Sequence, residues 1–466
     1  MYTEMEVKSG ALTVPYCQPF ELEKKMKKQI VKGIVVLLSL AFLAMPALSA
    51  VSVSPNEKGD LLIYPLYYAL EGIETNFTVI NTSATQCAVA KVIVRSHKYS
   101  IEVLGFFIYL TPNDVFKATL KYEGGKYILV STDDSLLLGQ TAVVAQASVE
   151  EPIALELYSP TYACDCATAD SPDWGYIDVI EATAYTHPTA SACAGNDDLL
   201  CCVQSDGSIL KSDLFAIYKN DVGPFTPANI LTGYAEMVFP GAEYALYKPT
   251  ILKDYDNATK LQITERYPVF ANRNDLEAAL SKNDLVIPYF NRSDAFTIAW
   301  LTFPTKLTKC ARDDDCAVWD SDSCYFEGLS SAKQIPTYSV SIYDMKEHER
   351  HVEGCVRSPC LSPPSNLPEE VNLIFDWLGS VNPFTEGWTR VVLEKTTDKE
   401  NGTACETDSC DTIFYDDAPV IGLIAQITPE GLSLMSPAYD FGGITVGEAT
   451  SADYSGCYQL GCVPCP

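Results

Sequence analysis

From residue 61 onward, the chain is dominated by short runs of β-branched and aromatic residues that turn-forming residues interrupt. The first seven runs are LLIYPLYYAL, TNFTVINTS, QCAVAKVIVRS, SIEVLGFFIYL, DVFKATLKY, KYILVST and TAVVAQASV. Runs of this length and composition favour β-strands, and their close succession is typical of an antiparallel sandwich. We therefore expect a mainly β protein with one or two immunoglobulin-like sandwiches, disulfide-stapled insertions and a few short helices.

The clearest local prediction is a β-hairpin in DVFKATLKYEGGKYILVSTDD. Gly124 and Gly125 stand between two strand-like runs, and glycine readily adopts the positive φ angles that a tight hairpin turn requires.

Two segments have helical spacing instead. NRNDLEAALSKND predicts a helix of about two turns with Asn272 or Asn274 as its N-cap. EEVNLIFDWLG predicts a short amphipathic helix. The apolar positions of the two helices are Leu276, Ala279 and Leu280, and Val371, Ile374, Phe375 and Leu378.

Residues 26–50 have the three parts of a secretory signal peptide. Lysines precede an apolar stretch from Ile34 to Met45, and small residues follow it up to Ala50. A membrane anchor is disfavoured because the stretch is shorter than the roughly 20 residues that span a bilayer. We expect translation to start at Met26, residues 1–25 to be an upstream extension, and the mature chain to begin at Ala50 or Val51. The protein would then be secreted to the cell surface, the extracellular space or the periplasm, with no membrane span after cleavage.

Composition divides the rest of the chain into five stretches. We expect a β-sandwich domain at 51–159, a Cys-rich insertion at 160–212 and a second β-rich region with a short helix at 213–309. A Cys-, Asp- and Pro-rich excursion follows at 310–368, and closing strands with a Cys-rich C-terminus occupy 369–466.

Seventeen cysteines in a chain predicted to be exported indicate disulfides. Spacing favours a small loop closed by Cys310 with Cys316, and another closed by Cys405 with Cys410. Further candidates are Cys457, Cys462 and Cys465, whose pairing the sequence leaves open. The rival interpretation is a metal–thiolate site at Cys457, Cys462 and Cys465. A haem attachment motif, Cys-x-x-Cys-His, is absent from the sequence.

The formal net charge is −29 and the isoelectric point is about 4.4. A chain with this charge offers no extended basic surface for phosphates, which argues against nucleic acid and anionic membranes as partners.

Acidic residues also supply the candidate metal ligands. ARDDDCAVWDSDSC places several carboxylates in one cysteine-bounded loop, a composition that suits a weak extracellular calcium site. The candidate ligands are Asp313, Asp315, Asp320 and Asp322, together with Asp314. The alternative is a solvated acidic loop. Calcium is the one cofactor that the sequence suggests.

A second, weaker metal arrangement is the segment MKEHERHVEGC. His348, His351 and Cys355 could share one face if this segment were helical, but an exposed polar helix or loop is the commoner outcome for so charged a stretch.

Signatures of enzymatic catalysis are scarce. The sequence contains neither the Gly-x-Ser-x-Gly motif of serine hydrolases nor a phosphate-binding loop. Acidic pairs are so numerous that no glycosidase dyad can be selected from them.

The order GDLLIYPLYY, VINTS, EVLGFFIYLTPNDVF and AWLTFPTK is similar to a loose set of exported bacterial β-sandwich proteins. Members share an Asn-Thr-Ser turn and a Thr-Phe-Pro-Thr-Lys segment, and the likeness covers about half of the mature chain. The set has no assigned activity, so the resemblance implies a secreted β-protein and no catalytic residue. The cysteine content of this chain departs from that pattern.

We expect a non-enzymatic structural protein of the cell surface or extracellular space, as a subunit of a filament or surface assembly. Its partners would be further copies of itself or other cell-surface components. If so, the segment VSVSPNEKGD is a candidate to complete a neighbour's sheet. The alternative is a glycan- or ligand-binding β-sandwich module, which an exposed row of aromatic residues beside acids would favour. A carboxylate-dependent hydrolase is the third hypothesis.

Overall fold

A computed structural model describes eighteen stretches of the chain, all within one compact unit, Ala50–Pro466. The described residues are 51–98, 100, 102–140, 143–159, 171–186, 211–219, 226–240, 243–255, 276, 279–282, 284–304, 336–346, 349–352, 371–374, 384–395, 418–429, 431–436 and 438–439. This part of the chain is mainly β and forms several antiparallel sheets, which confirms the predicted class.

The first fourteen strands precede residue 254. They are β1 Ser52–Val53, β2 Leu61–Tyr68, β3 Glu74–Asn81, β4 Gln86–Ser96, β5 Glu102–Leu110, β6 Val115–Glu123, β7 Lys126–Ser131, β8 Leu137–Gln140, β9 Val143–Gln146, β10 Ile153–Glu156, β11 Trp174–Thr186, β12 Leu231–Phe239, β13 Glu243–Tyr247 and β14 Thr250–Lys253. A helix, α1, spans Lys211–Lys219.

Eleven further strands follow. They are β15 Ser281–Lys282, β16 Asp284–Phe290, β17 Phe296–Thr302, β18 Pro336–Asp344, β19 Glu349–Val352, β20 Val371–Ile374, β21 Glu386–Lys395, β22 Ala418–Pro419, β23 Ile421–Thr428, β24 Gly431–Met435 and β25 Ala438–Tyr439.

Two six-stranded sheets form the first sheet pair. Sheet A has the order β1-β14-β2-β11-β4-β5, and sheet B has the order β10-β7-β6-β3-β12-β13. Aromatic residues from both sheets meet in the core between them, where Tyr64 contacts Phe77 and Phe106 contacts Phe116. Two buried tyrosines also connect the sheets: Tyr64 Oη donates to the carbonyl oxygen of Thr78, and Tyr247 Oη donates to that of Leu66.

Sheet A is also covered on the face that points away from sheet B. Phe107 and Tyr109 of β5 contact Tyr218 and Phe215 of α1 on that side. A strand buried on both faces loses its apolar–polar alternation, which explains the nearly continuous apolar runs of β2 and β4.

The second sheet pair consists of sheet C, with the order β19-β18-β21-β16-β25, and sheet D, with the order β20-β17-β23-β24. Leu285 and Ile287 of β16 pack with Ala299 and Leu301 of β17 in a second core. Trp300, which points the opposite way on β17, belongs to the core of the first sheet pair. Sheet D therefore contributes to both cores.

The predicted hairpin is confirmed. β6 and β7 pair from Thr119↔Val130 to Glu123↔Lys126, and the turn residues Gly124 and Gly125 have φ angles of 61° and 83°. Leu276, Ala279 and Leu280 are helical, as predicted. Leu276 and Leu280 are buried, so the predicted apolar face packs against the core.

The predicted helix at EEVNLIFDWLG is wrong where the structure describes it. Val371–Ile374 is strand β20, which pairs with β17 from Ala299↔Ile374 to Thr302↔Val371. Two β-branched residues and a neighbouring strand with unpaired backbone groups outweigh a local helical spacing.

β11 lies inside the stretch 160–212 that composition presented as an insertion. It is nevertheless a central strand of sheet A, paired with β2 on one side and β4 on the other. The first sheet pair also includes β12, β13 and β14, so it extends well past residue 159.

The segment proposed to complete a neighbour's sheet is docked on its own chain. β1 pairs with β14 through Ser52↔Lys253 and Val53↔Leu252. The Gly59 amide donates to the carbonyl oxygen of Leu231, and Val51 is buried. Residues 51–60 are thus held on their own chain, which counts against their use as a donor strand for a neighbour's sheet.

Cys87 is buried on β4 and is disulfide-bonded. Every other cysteine lies outside the described residues, so the proposed staples stay predictions. No helix in the described part of the chain has the length and apolar character needed to cross a bilayer.

Candidate binding surface

The predicted metal and disulfide residues fall outside the described part of the chain. This applies to the candidate calcium ligands Asp313, Asp314, Asp315, Asp320 and Asp322. It also applies to the candidate disulfide residues Cys310, Cys316, Cys405, Cys410, Cys457, Cys462 and Cys465. Among the residues that are described, no three His, Cys, Asp or Glu side chains group in a way that could hold a metal ion.

The helical arrangement considered for His348, His351 and Cys355 is contradicted at His351. This residue lies in strand β19, where it is opposite Ser341 of β18. A strand at this position does not provide the helical spacing that the arrangement requires, and His348 and Cys355 lie outside the described residues.

The outer face of sheet B, which points away from sheet A, carries three rows of side chains. In an antiparallel sheet, directly opposite residues share a face, so the pairing fixes each row. The first row is Tyr244, Val238 and Glu74; the second is Leu246, Glu236, Asn76 and Thr119; the third is Tyr234, Thr78 and Lys117. We call these residues the tyrosine face.

Large apolar side chains are exposed on the tyrosine face. The exposed fractions are 39% for Tyr234, 61% for Tyr244 and 54% for Leu246. The alternate positions Ala235 and Met237 are buried in the core between the sheets. The pleat of β12 and β13 thus presents tyrosines to solvent while it buries their neighbours.

A directed chain of hydrogen bonds crosses the middle row. Thr119 Oγ1 donates to Asn76 Oδ1 over 2.6 Å, and Asn76 Nδ2 donates to Glu236 Oε2 over 3.1 Å. Both donors point toward the carboxylate, which orients Glu236 on a rigid sheet. The face can therefore offer aromatic rings together with a fixed hydrogen-bond acceptor.

A buried ion pair lies on the face of sheet A that points away from sheet B. Arg95 Nε is 2.5 Å from Asp178 Oδ2, and Arg95 Nη1 donates to the carbonyl oxygen of Ser100 over 3.0 Å. Both side chains are almost fully buried. Burial raises the pKa of Asp178, and the attraction of Arg95 offsets this only in part. The pair links the neighbouring strands β4 and β11 and also ties β4 to the connection that leads into β5.

Glu181 is a second buried carboxyl group, at the end of the first sheet pair. Its two oxygens accept hydrogen bonds from the backbone amides of Ala228 (2.8 Å) and Ile230 (3.2 Å). Burial, with a smaller contribution from the nearby Asp60, raises the pKa of Glu181 to about 8 despite these amides. The group ties β11 to the segment that enters β12.

Sequence reasoning missed all three features. Tyrosines at alternate positions in a strand are usually interpreted as core residues. Only the pairing of the strands in the sheet shows which of these tyrosines face solvent. The only signal in the sequence was that Tyr234 and Glu236 alternate with Ala235 and Met237 in LTGYAEMVF. Arg95 and Asp178 are 83 residues apart, and no local pattern joins them.

Comparisons of the chain with protein-family models, curated proteins and solved structures gave no match. The resemblance to exported bacterial proteins therefore stays an expectation, and the functional argument depends on this chain's own geometry.

Proposed function

We propose that this chain is an exported, non-enzymatic structural protein of the cell surface or extracellular space, and that it acts as a subunit of a filament or other surface assembly. In this proposal each sheet pair is an immunoglobulin-like sandwich, and disulfides staple the cysteine-rich segments. The acidic composition suits a solvated exterior facing water and counter-ions.

The observation that carries the proposal is the junction between the two sheet pairs. Thr302 Oγ1 donates to the carbonyl oxygen of Pro65 over 2.6 Å, and Trp300 Nε1 donates to Tyr68 Oη over 3.1 Å. The Val371 amide donates to the carbonyl oxygen of His97 over 3.1 Å.

These bonds join sheet D to sheet A beside a shared apolar core. Domains joined by a flexible linker move independently, whereas this junction would transmit force from one pair to the other. Such stiffness suits a structural subunit.

Self-association is the testable part of the proposal. Contacts between copies would use open sheet edges, such as the outer edge of β10, which ends sheet B. Sedimentation velocity of the mature protein over a hundredfold range of concentration should show growing assemblies. A single monomeric species throughout that range would contradict the proposal.

The second candidate is an extracellular glycan- or ligand-binding module. The tyrosine face favours it, because exposed tyrosines there lie beside an oriented carboxylate. Retardation of the protein in native gels that contain polysaccharides measures binding directly, whether or not the protein assembles.

A further inference from the structure

We infer that the tyrosine face binds a neutral oligosaccharide chain. This inference rests on the second candidate function and names both the site and the class of ligand. Carbohydrates present apolar C–H faces that pack on aromatic rings and hydroxyl groups that donate hydrogen bonds. The tyrosine face offers both partners side by side: Tyr234, Tyr244 and Leu246 for the C–H faces, and Glu236 as acceptor.

The layout suits an extended ligand. Tyr244 of β13 is directly opposite Val238 of β12, and Val238 is four residues along β12 from Tyr234. The two tyrosines are therefore four residues apart along the strand direction and lie on neighbouring strands. At the rise of an antiparallel strand, their Cα atoms are roughly 14 Å apart. Glu236 lies between them in the middle row. A short oligosaccharide could therefore contact both rings while its central sugar reaches the carboxylate.

The polar middle row distinguishes a sugar from a protein partner. Protein interfaces are depleted of charged residues at their centre and place polar groups at the rim. The tyrosine face instead places Glu236 and Asn76 in its middle row, next to the exposed Leu246, with exposed tyrosines in the rows on either side. A ligand rich in hydroxyl groups can satisfy a central carboxylate, whereas an apolar protein surface would leave it desolvated and unpaired.

Charge selects a neutral glycan over an acidic one. Glu74 and Glu236 both lie on the face, and the whole chain carries a formal charge of −29. An acidic polysaccharide would be repelled both locally and over longer range. The basic residues on this face of β6, Lys117 and Lys121, lie two or more strands away from the tyrosines of β12 and β13.

The pre-set geometry would lower the cost of binding. Thr119 and Asn76 hold Glu236 in place, so less side-chain freedom is lost when a sugar hydroxyl donates to it.

Affinity electrophoresis tests the inference. The mature protein is run through native gels that contain mannan, laminarin or galactan as neutral probes, with alginate as the acidic probe. We expect retardation by at least one neutral polysaccharide and none by alginate. Tyr234→Ala and Tyr244→Ala should each weaken binding about tenfold, which corresponds to roughly 1.4 kcal/mol. Glu236→Gln should weaken it as well.

Two variants serve as matched controls. Tyr244→Phe keeps the ring and should retain most of the affinity. Tyr158→Ala removes an exposed tyrosine that lies outside the tyrosine face and should leave binding unchanged. Circular dichroism and thermal melting of every variant establish that the fold is intact.

Three results would overturn the inference: no retardation by any neutral probe, undiminished binding in the double variant Tyr234→Ala/Tyr244→Ala, or equal loss in Tyr158→Ala. If Tyr244→Ala instead abolishes self-association in sedimentation while no sugar binds, the face is a contact between copies. Sedimentation thus measures assembly and affinity electrophoresis measures sugar binding, so either hypothesis can be rejected independently of the other.

Discussion

Tyr64 and Gly233 show how one side chain restricts a residue on the opposite sheet. Tyr64 extends from β2 across the core, and its hydroxyl donates to the carbonyl oxygen of Thr78 beside β12. A Cβ atom at Gly233 would lie 2.1 Å from Tyr64 Oη and 2.3 Å from the Thr78 carbonyl oxygen. Glycine is required there for close approach, although it is a poor strand former.

Gly233→Ala should lower the free energy of unfolding by roughly 1–3 kcal/mol through overpacking. Urea denaturation measures the loss. In a Tyr64→Phe background the hydroxyl is absent but the Thr78 carbonyl remains. Gly233→Ala should therefore lower the free energy of unfolding by a smaller amount there than in the wild-type protein. An unchanged midpoint for Gly233→Ala would show that the tyrosine hydroxyl does not occupy this position.

The buried pair of Arg95 and Asp178 gives a different residue-scale prediction. Asp178→Asn removes the carboxylate that is hydrogen-bonded to the buried guanidinium, leaves Glu102 as its nearby acidic group, and should destabilise the fold by roughly 3 kcal/mol. The double variant Arg95→Met/Asp178→Leu removes both charges and should recover most of that loss. Urea unfolding of both variants measures the coupling. A loss below about 1 kcal/mol in Asp178→Asn would mean that the pair is hydrated rather than buried.

Glu181 makes stability depend on pH. Its pKa rises from the ordinary value of 4.5 to about 8 in the folded protein, so the folded state binds its proton more tightly than the unfolded state does. The stabilisation is fully present below pH 4.5 and is lost as pH rises through about 8.

Glu181→Gln should therefore flatten the decline in unfolding free energy between these two pH values. We expect the wild-type decline attributable to this group to be roughly 5 kcal/mol, because one pKa unit corresponds to about 1.4 kcal/mol. Parallel urea titrations across that pH range measure both proteins. Identical slopes would indicate that Glu181 is already ionised in the folded state.

At the scale of elements, sheet D shows why sequence patterns succeed and fail. β17 and β23 read as strands because their apolar runs are nearly continuous, and both strands pack on two cores. β20 was mistaken for a helix because four apolar residues happened to have helical spacing. Only the open edge of β17, about seventy residues away, decides that Val371–Ile374 is extended. Local sequence signals predicted most of the strands, whereas β20 was determined by its pairing with a strand that is distant in sequence.

The junction of sheet D with sheet A yields a prediction at the same scale. Thr302→Val keeps the shape of a buried side chain but removes its hydrogen bond to the Pro65 carbonyl. The unpaired carbonyl should lower the free energy of unfolding by about 1–2 kcal/mol. Thr385→Val, on an exposed position, should be nearly neutral. Equal effects of the two substitutions in urea unfolding would show that this contact does not hold the junction.

At the scale of the whole molecule, the sequence predicted a mainly β, antiparallel protein, because strand composition is a local property. It did not predict which faces of the strands remain in solvent. Tyr244 is exposed and Tyr247 is buried on the same strand, and the sheet that lies beneath β13 makes the difference. The tyrosine face could therefore be found only after residues distant in sequence had been paired.

We propose that this chain is exported and builds a structural assembly. The decisive measurement is negative-stain electron microscopy of the protein recovered from the native cell exterior, combined with its intact mass. We expect filaments or a lattice made of a chain that begins near residue 51 and has oxidised cysteines. Discrete monomers in the micrographs, or a mass that includes residues 1–50, would contradict it.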